Sequence, residues 1–287
     1  MAAAPLFADA RSNFHALLLD TLLWPDEKDV PTNSDKDQKA SVVIARGILD
    51  SLVPTKTGRR LSGQRAGVRF EEACATFVEE TFSAISHSRP GSWSIYRIVN
   101  RSVAAISQFD QYSHLIALAN AARQNPDLAA ALGNDYTITP DVVFVREPET
   151  DEVINSVRPL VDNSVARRSS LRKSNNSTPI LHASISCKWT IRSDRAQNSR
   201  SEALNLVRNR KGRLPHVVVV TAEPLPGRIA SIALGTGDID CVYHFALNEL
   251  IESVRAAGYA DSEELLETMI QGRRLRDISD LPLDLAV

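Results

Sequence analysis

The sequence is poor in cysteine: its 287 residues contain only Cys74, Cys187 and Cys241, which lie far apart. An odd number of widely spaced cysteines argues against a disulfide framework, and no Cys-x-x-Cys pair indicates a zinc knuckle. No apolar run approaches the ~18–20 residues of a membrane-spanning helix. The first residues have no basic segment ahead of an apolar stretch, so they do not resemble a secretory signal. We therefore expect a protein of the reduced cytoplasm.

An excess of one charge is also missing. The 33 Lys and Arg residues are balanced by 35 Asp and Glu residues, and the formal net charge is -2. Taken alone, this balance argues against a nucleic-acid partner, because such proteins often carry a net basic charge. The net charge nevertheless does not show how the charged residues are distributed along the chain. Residues 192–213 hold seven basic residues and only two acids, Asp194 and Glu202, so the acidic surplus lies elsewhere.

The order of apolar patterns predicts an α/β protein. No linker divides the chain convincingly, and we predict one domain over 1–287, with a helical part over about 1–130, a catalytic sheet over about 135–235 and C-terminal helices over about 245–287. We expect a central mixed β-sheet flanked by helices. The predicted helices lie near 14–22, 40–53, 66–86, 102–110, 113–123, 199–210, 246–257 and 262–271, and the predicted strands near 136–145, 180–191, 216–221 and 228–234.

Two of these segments carry more specific expectations. The helix over 66–86 should bury Val68, Cys74, Phe77, Val78, Phe82 and Ile85. The segment 147–179 is polar, with RRSSLRKSNNST at its centre. That composition is typical of an exposed insertion that is flexible without a partner.

Two charged residues in the predicted strands are candidates for a catalytic site. Asp141 follows Pro140 at a strand start, and Lys188 lies in an otherwise apolar strand, where an unpaired lysine is costly. If the two strands pair, the carboxylate can lie beside the ammonium group. This combination is the core of metal-dependent phosphodiesterases, in which a carboxylate binds a hard cation such as Mg²⁺. Alone, an aspartate in this position more often completes a turn, and Cys187 is more often a packing residue than a nucleophile.

A second acid is needed for such a site. Its usual place, two residues before the lysine, is occupied by Ser186. Glu202 is the first candidate, because we expect it to open the helix after the strand. Glu71 and Glu72, on the helix predicted over 66–86, are further candidates, and the sequence leaves the choice between them open.

The spacing of these residues resembles a known family. Asp141 and Lys188 are separated by 46 residues, and Lys188 and Glu202 by 13 residues. This pattern is similar to the type II restriction endonucleases that cut sites with a CCGG core, a branch of the PD-(D/E)xK nucleases in which the second acid has moved from strand to helix. The context Ser186-Cys187-Lys188 and the chain length are most similar to the NgoMIV type, which cuts GCCGGC.

The resemblance implies roles for the site residues. Asp141, the main-chain carbonyl of Cys187 and Glu202 would bind Mg²⁺. Lys188 would position the attacking water. Glu71 would complete the acidic cluster.

The resemblance also implies how DNA is recognised. The segment Arg192-Ser193-Asp194-Arg195 would contact the CCGG core, which fits its chemistry: arginine binds O6 and N7 of guanine, and a carboxylate accepts from N4 of cytosine. Arg228, Gln64 and Asp35 would contact the outer G·C pair. We expect all three of these residues to lie in loops.

The implied activity is Mg²⁺-dependent hydrolysis of double-stranded DNA at G/CCGGC, leaving 5′-CCGG overhangs with 5′-phosphates. A palindromic site calls for a homodimer, which the resemblance extends to a homotetramer; a cognate DNA methyltransferase would protect host DNA. Two alternatives share the fold. One is a DNA-binding regulator that does not cut, and the other is a repair or junction nuclease that recognises DNA structure.

Overall fold

The computed structural model describes residues 4–54, 56–100, 102–133, 138–191, 193–235 and 237–287; for 193–197 it describes the backbone alone. The α-helices of this part of the chain are α1 (Leu6–Thr21), α2 (Lys39–Leu52), α3 (Gly63–Ala84), α4 (Val103–Ser107), α5 (Leu115–Gln124), α6 (Pro126–Leu132), α7 (Asp151–Ile154), α8 (Ser193–Asn209), α9 (Pro226–Ala233), α10 (Leu247–Ala256), α11 (Ala260–Gln271) and α12 (Leu281–Asp284). None of the described helices is both long and apolar enough to cross a membrane.

Six strands form one mixed sheet in the order β1 (Trp93–Arg97), β2 (Val142–Arg146), β3 (Ile180–Lys188), β4 (His216–Thr221), β5 (Cys241–His244) and β6 (Leu275–Asp277). β1 and β2 are antiparallel, whereas β4, β5 and β6 run parallel. Val217 to Val220 of β4 are all buried, as expected for a strand covered on both faces. The prediction of an α/β fold with a central mixed sheet flanked by helices is confirmed.

The chain divides into two compact units. Unit 1 contains Met1–Ile85, Ile185–Ser201 and Val217–Val287, and unit 2 contains Ser86–Ser184 and Glu202–His216. The single domain over 1–287 stays a prediction. Within unit 1, helix pairs α1 and α3, α2 and α10, and α9 and α11 pack together. Within unit 2, α4 packs on α5 and α5 on α6.

Helix α3 shows how the apolar pattern sets the packing of unit 1. The Ser62 side chain caps its first turn by accepting from the main-chain N–H of Arg65. Its buried residues recur at helical spacing, and Phe77 meets Phe14 of α1 with ring centroids 5.3 Å apart. Val68 was predicted to be buried, but it is 39% exposed. The reason is angular: Val68 lies two residues from both Ala66 and Phe70, on the opposite side of the helix.

Several predicted elements differ from the structure. The strand predicted over 228–234 is wrong, because helix α9 occupies Pro226–Ala233. Its buried residues Ile229, Ile232 and Ala233 follow helical spacing, and Pro226 suits the first turn, where no N–H is needed. Helix α8 begins at Ser193, not at 199. Sequence patterns missed β1, β5, β6 and the short helix α6, whose few residues give little periodicity.

The polar segment 147–179 of unit 2 is mainly exposed, as predicted, but one arginine at its centre is buried. Arg172 is 3% exposed, and its Nε and Nη2 donate to the two carboxylate oxygens of Asp151 at 2.9 and 2.6 Å. Its Nη1 donates to the main-chain carbonyls of Asp162 (3.0 Å) and Val165 (2.6 Å). Residues 171 and 173 also form main-chain hydrogen bonds with Glu149. One guanidinium group therefore holds this segment together.

Replacing this arginine tests that role. In Arg172→Ala, the Asp151 carboxylate and both carbonyls lose their donor, so we expect faster amide hydrogen exchange across residues 149–175. Arg168→Ala is the matched control, because Arg168 is exposed in the same segment. Equal exchange rates in the two variants would show that the guanidinium does not organise the segment.

Candidate functional site

Asp141 lies at the entrance to β2 in unit 2. It is 3% exposed, and its main-chain carbonyl accepts from the N–H of Ile98 at 3.0 Å, directly beyond the pairing of Arg97 with Val142. The antiparallel pairing with β1 thus sets the position of Asp141. The strand begins at Val142, one residue after Asp141, so Asp141 stands at a strand start as predicted.

The carboxyl end of β3 belongs to unit 1 and carries Ser186, Cys187 and Lys188. The main-chain carbonyl of Lys188 accepts from the Ala222 N–H at 3.2 Å and from the Thr221 hydroxyl at 2.8 Å, so the end of β4 fixes this position. Cys187 is 4% exposed, in keeping with a packing residue. Ser186 is 8% exposed, and its buried hydroxyl oxygen has no hydrogen-bond partner among the described residues.

The two glutamates of α3 that the sequence left open differ in environment. Glu71 is 8% exposed, and it follows Phe70, whose ring meets Trp189 at 5.4 Å just after the end of β3. Glu72 turns toward solvent and pairs with Arg69 at 3.2 Å. Burial therefore distinguishes Glu71 from Glu72.

The structure corrects the expected place of Glu202. It is the tenth residue of α8, which begins at Ser193, and so it does not open the helix. Glu202 and Asp141 belong to unit 2, whereas Glu71, Cys187 and Lys188 belong to unit 1.

The segment predicted to contact the CCGG core lies largely outside the described residues. Arg192 is not described, and of Ser193, Asp194 and Arg195 the structure gives only the helical backbone at the start of α8. Their proposed contacts with DNA stay a prediction.

Two of the three residues predicted for the outer base pair line one cavity of unit 1. Asp35 and Arg228 line this cavity of about 280 Å³ together with Arg60, Trp189 and Thr190. Gln64 is exposed in the first turn of α3, between the cavity-lining residues Gly63 and Ala66. Arg228 lies in α9 and Gln64 in α3, so the prediction that both lie in loops is wrong.

Asp35 and Arg228 form a direct ion pair, with Arg228 Nη2 2.5 Å from Asp35 Oδ2. The loop that carries Asp35 is itself held in place. Asn33 Nδ2 donates to the main-chain carbonyl of Ala222 at 3.0 Å, and Arg60 donates to the carbonyls of Pro31 (2.8 Å) and Ser34 (2.7 Å). The orientation of the guanidinium and the carboxylate is therefore set by the fold.

Sequence patterns missed Glu223, a fully buried acid just after β4. Its Oε2 accepts from the Ile191 N–H at 2.7 Å and lies 3.8 Å from Arg228 Nη1, and its Oε1 accepts from the Leu225 N–H at 3.2 Å. Burial raises the pKa of Glu223 to about 7, against the opposing effect of these hydrogen bonds and of Arg228. An acid directly after the buried run VVVVTA was the signal that could have identified it. Asp35, Glu223 and Arg228 are called the strand-end cluster below.

The whole chain resembles one curated family. The model of the NgoMIV restriction enzyme family matches residues 14–287. The chain is also 55% identical over 284 residues to the type II restriction enzyme NgoMIV of Neisseria gonorrhoeae, and the match covers 99% of each sequence. The chain therefore belongs to the NgoMIV restriction enzyme family.

Proposed function

We propose that this member of the family is a type II restriction endonuclease that cuts double-stranded DNA at G/CCGGC with the help of Mg²⁺ and leaves 5′-CCGG overhangs with 5′-phosphates. An identity of 55% to a type II restriction enzyme over almost the full length supports site-specific cleavage of DNA. The strand-end ion pair of Asp35 and Arg228 is the observation that carries the assignment of the outer base pair.

Mg²⁺ would be held by Asp141, Glu202 and the main-chain carbonyl of Cys187. All three supply oxygen, which is the donor that this hard cation prefers. The buried Ser186 hydroxyl beside Cys187, which has no hydrogen-bond partner among the described residues, fits a hydrated cation. Within the described residues no three His, Cys, Asp or Glu side chains form a metal-binding group, so this ligand set rests on the family resemblance and on the oxygen donors it supplies. When bound, the cation neutralises the scissile phosphate and lowers the pKa of its water.

Lys188 would orient the attacking water and stabilise negative charge on the phosphate. Its main chain is anchored on Thr221 and Ala222, so the ammonium group extends from a fixed strand end. Glu71 would complete the acidic set, and its burial supports it over the solvent-facing Glu72.

Arg228 and Asp35 would recognise the outer G·C pair together. Arginine donates to O6 and N7 of guanine, and a carboxylate accepts from N4 of the paired cytosine. The two side chains already form an ion pair in the strand-end cluster. A donor and an acceptor therefore lie side by side, as the acceptors of guanine and the amino group of its paired cytosine require. Gln64, in the neighbouring turn, would add a contact to the same pair. Arg192, Ser193, Asp194 and Arg195 would contact the inner CCGG bases.

A palindromic site is matched by two-fold symmetry, so we propose a homodimer that assembles further into a homotetramer. The exposed parts of 147–179, organised around Arg172, offer surface for such contacts. A cognate DNA methyltransferase would protect host DNA in the same cytoplasm.

The role of Asp141 is tested by Asp141→Asn. Removing the charge should reduce cleavage of GCCGGC in Mg²⁺ by at least about 100-fold, because the cation that would neutralise the scissile phosphate loses a carboxylate ligand. Binding of the same duplex in Ca²⁺ should remain. Asp127→Asn, an exposed aspartate of unit 2, is the control. Undiminished cutting by Asp141→Asn would refute the role.

The inner contacts are tested by Arg195→Ala. We expect a loss of about 1–3 kcal/mol of discrimination at one base pair within CCGG, because one bidentate contact to guanine is removed. Cleavage rates on duplexes with single inner substitutions measure this. Uniform weakening on every sequence would instead identify Arg195 as a phosphate contact.

The outer contacts are tested by Arg228→Ala. The preference for GCCGGC over ACCGGT should fall by about 1–3 kcal/mol, while discrimination within CCGG is retained. Arg255→Ala is the control, since Arg255 forms an exposed ion pair with Glu263 in α11. Unchanged outer preference in Arg228→Ala would remove Arg228 from the recognition set.

A further inference from the structure

We propose that Glu223 is a positioning residue that holds the inner and outer DNA contacts in a fixed relation, so that discrimination at the outer base pair depends on its carboxylate. This inference rests on the proposed function, because it concerns how the proposed contact residues are held.

The carboxylate of Glu223 joins two chain segments. Oε2 accepts from the N–H of Ile191, the residue immediately before the inner segment Arg192–Arg195. Oε1 accepts from the N–H of Leu225, which is the N-cap residue of α9, and Arg228 lies in the first turn of that helix. The Glu223 side chain thus fixes the residue that precedes Arg192–Arg195. It also fixes the start of α9, the helix that carries Arg228.

The same carboxylate also faces Arg228 directly. The guanidinium lies between two acids, with Nη2 at 2.5 Å from Asp35 and Nη1 at 3.8 Å from Glu223. The orientation of its donor groups is therefore defined from two sides. Without the charge of Glu223, Asp35 would be the one acid among the described residues that pairs with the guanidinium, which could rotate about that contact.

The other ionisable groups near Glu223 leave this arrangement in place. His244 of β5 lies 3.2 Å from the main-chain carbonyl of Glu223, and burial lowers the pKa of this histidine to about 4. It is therefore neutral near pH 7. Arg60 lines the cavity beside Asp35 and Arg228 but is directed to the carbonyls of Pro31 and Ser34. Within the described part of the chain, Glu223 therefore faces the charges of Arg228 and Asp35.

A purely structural role does not need this charge. Two main-chain N–H groups can be satisfied by neutral acceptors, whereas a fully buried carboxylate carries a large desolvation cost. Desolvation is the main cause of the pKa of about 7, so near neutral pH the group is divided between its charged and neutral forms. The charged form is useful here because it faces the guanidinium of Arg228.

The decisive variant is Glu223→Gln, with Glu249→Gln as the matched control. Glu249 is a partly buried acid of unit 1 that binds an arginine, Arg11, at 2.6 Å, and among the described residues it forms no hydrogen bond or ion pair with the strand-end cluster. Binding in Ca²⁺ and cleavage in Mg²⁺ are measured on GCCGGC, ACCGGT and an inner-substituted duplex. For Glu223→Gln we expect the GCCGGC preference over ACCGGT to fall on the order of tenfold. Glu249→Gln should lower the Tm and leave this ratio unchanged.

The wild-type enzyme supplies a second measurement that does not depend on folding of the variant. Because the ionised form of Glu223 is lost as pH falls through about 7, the GCCGGC preference in Ca²⁺ should be lower at pH 6 than at pH 8. That change should be absent in Glu223→Gln.

The outcomes separate the two claims. If wild-type protein shows no preference for GCCGGC over ACCGGT, the proposed outer-pair recognition fails, and the inference fails with it. If the wild type shows the preference, a wild-type ratio in Glu223→Gln overturns the inference alone. Should that variant fail to fold, a pH-independent ratio in the wild type has the same meaning.

Discussion

The part of the candidate site that lies in unit 1 depends on one interaction, the pairing of the last residue of β3 with the end of β4. The carbonyl of Lys188 accepts from Ala222 and Thr221, and three residues later the N–H of Ile191 reaches Glu223. These contacts fix Lys188 at one end of the stretch and the approach to Arg192 at the other. The proposed catalytic residue Lys188 and the proposed recognition segment are thereby placed within a few residues of a common main-chain anchor.

The Asp35 loop depends on the same strand end. Asn33 donates to the carbonyl of Ala222, whose own N–H is bonded to Lys188. A shift of β4 relative to β3 would therefore displace Lys188, Asp35 and Arg228 together. If these residues have their proposed roles, this common support gives a physical reason why cleavage and outer-pair recognition should be linked.

Sequence reasoning succeeded where a pattern is long. The run HVVVVT identified β4, and the strand predicted over 180–191 contains β3, which ends at Lys188. It failed at Arg228–Leu234, where β-branched residues indicated a strand but Pro226 and the helical spacing of Ile229 and Ile232 decide for a helix. Tertiary burial overrides such local propensity. Glu223 was missed for a related reason: its place directly after VVVVTA was a signal, but its burial depends on neighbours from other elements of the fold.

If Arg228 and Asp35 recognise the outer pair as proposed, their ion pair would explain why a chain of net charge -2 can be selective without being strongly basic. A preformed pair loses little conformational freedom on binding, so affinity is not obtained by unselective attraction to phosphate. With G·C, the arginine would meet two acceptors and the aspartate would meet an amino donor. With A·T, the arginine would meet the amino group of adenine, and the carboxylate would meet the O4 acceptor of thymine. A carboxylate left against an acceptor in a desolvated interface is costly, so the proposed discrimination would arise mainly from rejection of the wrong pair.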